Sequence, residues 1–318
     1  MKELVVLSGK GGTGKTSLVG SLATLAENKI LVDCDVDAAD LHLLLKPDIK
    51  HKAEFVGGKK ASIIEEKCTA CDICPEYCRF EAIKSSDEEG GNNPRFRIDS
   101  LACEGCGVCT HFCPEDAIEF KDVVSGEWYI SETRHGPMVH ARLGIAQANS
   151  GRLATLLRNR ARTLAEEKNC DLIIIDGPPG IGCPVIASLT GADYVLIVTE
   201  PTVSGLHDLE RLLKLIEHFQ IKASVCINKY DINPQMTETI ENFAARNNIG
   251  SAGKIKYDPA MTAAQIQGRT VIEYTDDGIS KAIKKIWEKV QKELRKTTKQ
   301  ETNKSKLKQQ NIQTEIQS

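Results

Sequence analysis

At 318 residues the chain has room for one large α/β domain and a smaller module, and a formal net charge of −3 gives no global basic character suited to nucleic acid. No apolar run approaches the roughly 20 residues that cross a bilayer, and the first strand begins without room for a leader, so a cytoplasmic location without membrane association is expected. Twelve cysteines in such a chain point to metal rather than to disulfides.

The first predicted unit is β-α-β: a strand over Glu3–Leu7, a helix over Ser17–Ala26 and a strand over Ile30–Asp33. Between the first strand and the helix lies Ser8-Gly9-Lys10-Gly11-Gly12-Thr13-Gly14-Lys15-Thr16. Its glycines let successive backbone N–H groups converge on an anion at the positive end of a helix. The G-x-x-x-x-G-K-[ST] spacing assigns Lys15 to the outer phosphates and the Thr16 hydroxyl to magnesium. Gly9, Gly11, Gly12, Thr13, Gly14 and Ser17 complete the predicted nucleotide-binding stretch.

The second strand ends in Asp33-Cys34-Asp35-Val36-Asp37, at the sheet edge where ligands of α/β folds bind. Asp33, Asp37 and Asp40 read more simply as helix-capping or surface acids. After Leu45-Lys46-Pro47 the α/β rhythm stops, and a short cysteine-rich segment over about 50–121 takes over. The polar stretch Ser85–Asn93 divides it into two similar halves, an internal duplication.

The halves read Cys68-x-x-Cys71-x-x-Cys74-x-x-x-Cys78 and Cys103-x-x-Cys106-x-x-Cys109-x-x-x-Cys113-Pro114, the bacterial ferredoxin run found twice. In two-cluster ferredoxins the fourth cysteine of each run ligates the other cluster. The pattern therefore assigns Cys68, Cys71, Cys74 and Cys113 to one [4Fe–4S] cluster, and Cys103, Cys106, Cys109 and Cys78 to a second. Zinc sites normally use C-x-x-C pairs separated by a longer loop, a different spacing. Ala70, Gly105 and Gly107 let the backbone wrap closely and point N–H groups at sulfur.

The α/β rhythm resumes with a strand at Trp128-Tyr129-Ile130 and a basic amphipathic helix from Asn149-Ser150-Gly151 to about Lys168. Buried strands follow at Leu172–Ile175 and Tyr194–Val198, a helix at Gly205–Phe219, a strand at Ala223–Ile227 and helices at Met236–Asn247 and Ile279–Leu294. Beyond about Arg295 the chain is polar, and a disordered tail is expected. The domain reading is 1–55 and 126–294 for the phosphate-loop domain, 56–125 for the insert and 295–318 for the tail. Cys34, Cys170 and Cys226 are expected in the core.

Asp176-Gly177-Pro178-Pro179-Gly180 follows an apolar strand, so Asp176 matches the Walker B acid that holds magnesium through water, and Gly180 belongs to the turn that senses the terminal phosphate. Asn228-Lys229-Tyr230-Asp231 falls where a base would lie, with Asn228 assigned to base recognition. The same string fits the N-K-x-D of GTPases.

The pattern K-G-G-x-G-K-T, with Lys10 early and Lys15 in the usual place, resembles the deviant Walker A of the MinD, ParA, Mrp and nitrogenase-iron-protein ATPases. The resemblance covers nearly the whole chain to about Arg295. It implies a parallel P-loop sheet with helices on both faces, an inserted two-[4Fe–4S] ferredoxin α+β module, ATP rather than GTP, Mg²⁺, and a homodimer in which Lys10 reaches the partner's nucleotide. Catalytic roles carry over to Lys10, Lys15, Asp35 and Asp176, Asp35 as the switch residue that orients the attacking water.

By analogy with the nitrogenase iron protein, Cys183 would bridge a cluster between subunits; read from its surroundings it is a buried or switch-linked thiol. Three functions are carried forward. The first is a nucleotide-gated electron carrier serving a redox partner protein. The second is a cluster assembly or delivery ATPase. The third is a MinD-type positioning ATPase, for which the stripe Ile279, Ile283, Ile286, Val290 and Leu294 would have to meet a membrane instead of packing on the sheet.

Overall fold

The computed structural model describes residues 1–85, 96–144 and 150–296. The polar stretch predicted over Ser85–Asn93 lies, apart from Ser85, outside the described residues, as do Asn149 and the predicted tail beyond 296. The chain separates into two units, Met1–Lys52 with Trp128–Arg142 and Asn149–Ser318, and Ala53–Glu127 with Leu143–Ala148.

The larger unit opens with β1 (Lys2–Ser8), α1 (Lys15–Leu25), β2 (Lys29–Asp33) and the short α2 (Leu41–Leu45). β3 (Asp48–Ile63) carries the chain into the smaller unit, and β6 (Ile118–Thr133) returns it. There follow β7 (Gly136–Leu143), α5 (Gly151–Glu167), β8 (Leu172–Asp176), α6 (Cys183–Leu189), β9 (Tyr194–Thr199), α7 (Val203–His218), β10 (Lys222–Asn228), α8 (Pro234–Arg246), β11 (Gly250–Ile255), α9 (Pro259–Ile266) and α10 (Val271–Tyr274). A last helix, α11, runs over 279–296.

The sheet order is β11-β10-β9-β1-β8-β2-β7-β6-β3, and each neighbouring pair from β11 to β7 is parallel. Central strands carry unbroken apolar runs because both faces are covered: Leu4–Leu7 are all buried, as are Glu3 and Ser8 at their ends. Leu4, Val6, Leu31, Leu196 and Ile255 share one core with Leu18 and Leu22 of α1 and with Ile279, Ile283, Ile286, Val290 and Leu294 of α11. The apolar stripe of α11 is therefore spent on the sheet.

Helix starts follow their caps. Ser150, Thr202, Asn233 and Asp258 each accept a backbone N–H from the first turn of α5, α7, α8 and α9. Between β6 and β7, Arg134 makes a staple: its guanidinium donates to the carbonyls of Leu44 and Leu45 (3.0 and 3.1 Å) and of Gly268 (3.1 Å), and pairs with Glu273. That pairing, working against partial burial, holds the Glu273 carboxyl down at about 2.

In the smaller unit α3 (Ile73–Tyr77) and α4 (Val108–Phe112) accompany an antiparallel pair, β4 (Ile83–Ser85) and β5 (Phe96–Ile98), with Ile83 opposite Ile98. A small core gathers Cys74, Ile83 and Phe96. The duplication is visible in the backbone: Ala70 and Asp72 of the first half take left-handed conformations, and so do Gly105 and Gly107 at the equivalent places in the second. Tyr77 and Phe112, each one residue before the last cysteine of its run, stack with ring centroids 3.9 Å apart.

Candidate functional site

β1 ends in the glycine loop and α1 begins at Lys15 with Gly14 as its N-cap, at φ 84° and without a side-chain cap. A Cβ on Gly14 would sit 2.4 Å from the Asn228 amide nitrogen, so both the left-handed backbone and the close approach require glycine here. The first-turn N–H groups of α1 thus face a cavity of about 580 Å³, a size suited to a nucleotide. Gly11, Gly12, Thr13, Gly14, Lys15, Thr16 and Ser17 line it, with Asp35, Pro179 and Asn228.

Behind the loop the sheet register sets the acids. β2 and β8 pair Asp33 with Asp176, both at the C-terminal edge. Lys15 Nζ forms an ion pair with Asp176 and lies 3.1 Å from Asp35 Oδ2. Burial works against the Lys15 charge, but Asp176 and Asp35 hold its pKa above the ordinary value. Burial raises the Asp35 carboxyl, with Lys15 opposing, and burial together with Asp176 pushes Asp33 well above the carboxylate range. Asp33 Oδ2, Asp35 Oδ1 and Asp176 Oδ2 are buried oxygens without a hydrogen-bond partner, an arrangement that fits a hydrated magnesium ion beside the half-buried Thr16. Asp33, read from sequence as a capping or surface acid, is instead a buried member of this group, while Asp37 and Asp40 are exposed.

Not every predicted residue faces the cavity. Asp176 lies beneath it, fully buried. Gly9 and Lys10 are absent from its walls; Lys10 Nζ lies 3.1 Å from Ser204 Oγ and 3.4 Å from Thr202 Oγ1. Gly180 sits just outside, its N–H donating to the Ser8 carbonyl at 3.0 Å.

Asn228 lines the cavity, but its amide donates to the Thr13 carbonyl (2.8 Å) and its Oδ1 accepts the Lys229 N–H (3.0 Å), so it braces the phosphate loop. Asp231, which would read guanine in an N-K-x-D site, accepts the Tyr257 N–H at 2.7 Å and is not part of the wall. Asp40, Leu43, Leu44 and Lys229 also line the cavity, and a further part of the wall comes from Lys256, Tyr257, Asp258, Met261, Thr262 and Gln265. Sequence reasoning missed this segment; the cap-and-proline pair Asp258-Pro259 before α9 was the signal available.

The cysteines of the smaller unit fall into two groups. Cys68, Cys71, Cys74 and Cys113 line one small pocket, and Cys78, Cys103, Cys106 and Cys109 another. Burial first, and then the neighbouring thiols Cys113, Cys68 and Cys71, raise Cys74 to about 11; burial, Cys103 and Cys106 raise Cys109. The Ala117 N–H donates to Cys113 Sγ at 3.3 Å. Among the described residues, no three His, Cys, Asp or Glu side chains converge as ligands of one metal ion.

Elsewhere, Cys34 and Cys226 are buried as expected, but Cys170 is only half-buried, beyond the end of α5. Cys183 is exposed at the start of α6, which corrects the buried half of its reading as a buried or switch-linked thiol.

The family model describing the CobQ/CobB/MinD/ParA nucleotide-binding domain matches residues 4–271. The chain belongs to this family. An uncharacterized protein of Methanocaldococcus jannaschii is 35% identical over 235 residues, 73% of this chain and 79% of that one. The septum site-determining protein MinD of a Synechocystis strain is 25% identical over 240 residues, 74% of this chain and 66% of that one. Among solved structures, the cell division ATPase MinD of Pyrococcus furiosus superposes with a TM-score of 0.55 at 17% identity, covering 92% of this chain and 98% of that one. A Cyanothece McdA–ATP complex, at 16% identity, gives 0.54 with 92% and 96% covered. These superpositions show a shared fold, and the chain is a P-loop nucleotide-binding protein of MinD/ParA type. Among the described residues of this MinD/ParA-type protein, no helix is long and apolar enough to cross a membrane.

Proposed function

We propose that the protein is a nucleotide-gated iron–sulfur ATPase, a homodimer whose ATP cycle controls electron flow through two [4Fe–4S] clusters to a redox partner protein. The observation that carries this reading is the division of eight cysteines, four and four, between the two pockets of the smaller unit. Each set combines three cysteines of one run with the fourth of the other, the donor chemistry of a bacterial two-cluster module. Cys68, Cys71, Cys74 and Cys113 would hold one cluster, and Cys78, Cys103, Cys106 and Cys109 the other. Clusters so held carry single electrons at potentials set by charge, hydrogen bonding and exposure. The inserted module, residues 56–125 on the sequence boundaries, would be a ferredoxin domain.

In the larger unit the loop is read as a deviant Walker A. Lys15 and the first turn of α1 would bind the phosphates, Thr16 would hold magnesium with Asp176 acting through its water, and Asp35 would orient the attacking water. Lys10, turned away from its own cavity, acts on the partner's nucleotide. Asn228 keeps one amide hydrogen for the base, and because Asp231 is engaged with Tyr257 the site favours adenine.

The names of the curated relatives favour a second reading, a MinD-type positioning ATPase. The α11 stripe, packed in the core, is not exposed for a membrane. Cluster delivery is the weaker alternative, since four thiolates per site retain a cluster. The test is anaerobic purification followed by iron analysis and stopped-flow reduction of a one-electron acceptor. About eight irons per chain and ATP-dependent reduction rates are expected. Iron-free protein with intact ATPase activity would leave the positioning reading.

A further inference from the structure

Lys10 belongs to the phosphate loop, yet its ammonium is held by the turn between β9 and α7. Ser204 Oγ lies at 3.1 Å, Thr202 Oγ1 at 3.4 Å and Glu200 Oε2 at 3.7 Å. The other Glu200 oxygen, Oε1, takes the ammonium of Lys229. One carboxylate therefore serves two lysines. One comes from the loop; the other lines the nucleotide cavity and follows Asn228, which braces the Thr13 carbonyl.

The turn that presents Glu200 is fixed independently of Lys10. The Thr202 N–H donates to the Glu200 carbonyl at 2.8 Å, and Thr202 Oγ1 caps α7 by accepting the Gly205 N–H at 3.0 Å. Glu200 is also shielded, its side chain 14% exposed against 34% for Lys10. Two hydroxyls and one carboxylate oxygen, on a carboxylate shared with Lys229, thus surround the Lys10 ammonium.

The geometry points to Glu200 as a positioning residue: the Glu200–Ser204 turn is a resting socket that holds Lys10 beside its own loop and competes with the partner's nucleotide for it. This rests on the trans role of Lys10 given above. A group held in one place is unavailable in another, so the socket lowers the engaged population by the ratio of the two affinities. Partly exposed ion pairs are weak, which makes the hold reversible and its release a several-fold effect.

The experiment measures ATP hydrolysis against protein concentration at saturating ATP for the full chain and for Glu200→Gln, Ser204→Ala, Lys10→Ala and the double variant Lys10→Ala/Glu200→Gln. For Glu200→Gln the concentration giving half-maximal turnover should fall about 3- to 5-fold with the maximum unchanged. Ser204→Ala should move it in the same direction by less, without altering charge. In the Lys10→Ala background Glu200→Gln should have no effect. An unchanged or raised midpoint for both single variants overturns the socket, and so does an equal Glu200→Gln effect with and without Lys10. Normal turnover of Lys10→Ala sinks the trans role itself, and a Lys10→Ala loss without a Glu200 effect sinks only the socket.

Discussion

Lys15 is the residue on which most of the site converges. It is the cation among Asp33, Asp35 and Asp176, and it also stands at the first position of α1 facing the cavity. Lys15→Ala should lower hydrolysis about 100-fold or more, because developing charge on the phosphate oxygens loses its nearest fixed cation. It should also cost roughly 3 kcal/mol in urea unfolding, since a buried carboxylate pair is left uncompensated. His140 offers a cleaner pH test. Its Nε2 meets Ser131 Oγ at 2.9 Å and its ring stacks on Tyr129, and burial, with His42 adding to it, lowers its pKa from 6.5 to about 4. The unfolded chain then binds this proton before the folded one does. Its effect on stability is nil above about pH 6.5 and grows as pH falls toward 4, to roughly 3 kcal/mol. Urea midpoints measured at pH 7 and pH 4.5 should differ less in His140→Gln than in the parent chain.

At the scale of elements, α11 decides between packing and membrane. Ile283 is fully buried in the core against the sheet. Ile283→Ala should cost about 2–4 kcal/mol of unfolding free energy without changing vesicle sedimentation, and pelleting of the parent chain with ATP would contradict the buried stripe. The same helix illustrates what the sequence discloses. Its 3.6-residue stripe was plain, as were the apolar runs of β1, β2, β8, β9 and β10, because each is buried continuously or on one face. The sixteen-residue β3 was not, since Asp48–Ala53 is charged and mostly exposed, and neither was β11, whose Gly250-Ser251-Ala252-Gly253 looks like a turn until β10 pairs with it. The phosphate-loop residues that line the cavity were legible because phosphate chemistry fixes their spacing along the chain. The wall from Lys256 to Gln265 was not, because it is assembled by α9 from far along the sequence and has no motif of its own. Asp33 was misjudged for a related reason: only the β2–β8 register puts it beside Asp176.

For the whole molecule the discriminating quantity is iron. Cys71 and Cys106 are the exposed members of the two cysteine sets, and replacing one should affect packing least. Cys106→Ala is expected to lower the count from about eight to about four irons per chain and to remove one of two electron paramagnetic resonance signals, while Cys183→Ser leaves both unchanged. Loss of all iron from Cys106→Ala, with the fold intact by circular dichroism, would mean that the two sites are not separable.

Arg134 has a consequence for how such a chain can be cut. The guanidinium ties Leu44 and Leu45, just before β3, to the bend just after β6, and His51 and Trp128 meet at a ring separation of 5.1 Å. The two ends of the excursion between 53 and 127 are thereby fastened to each other inside the larger unit. Excising those residues and closing the gap with a short hairpin should leave a nucleotide-binding body that still melts cooperatively, which would make the cysteine segment a removable insert.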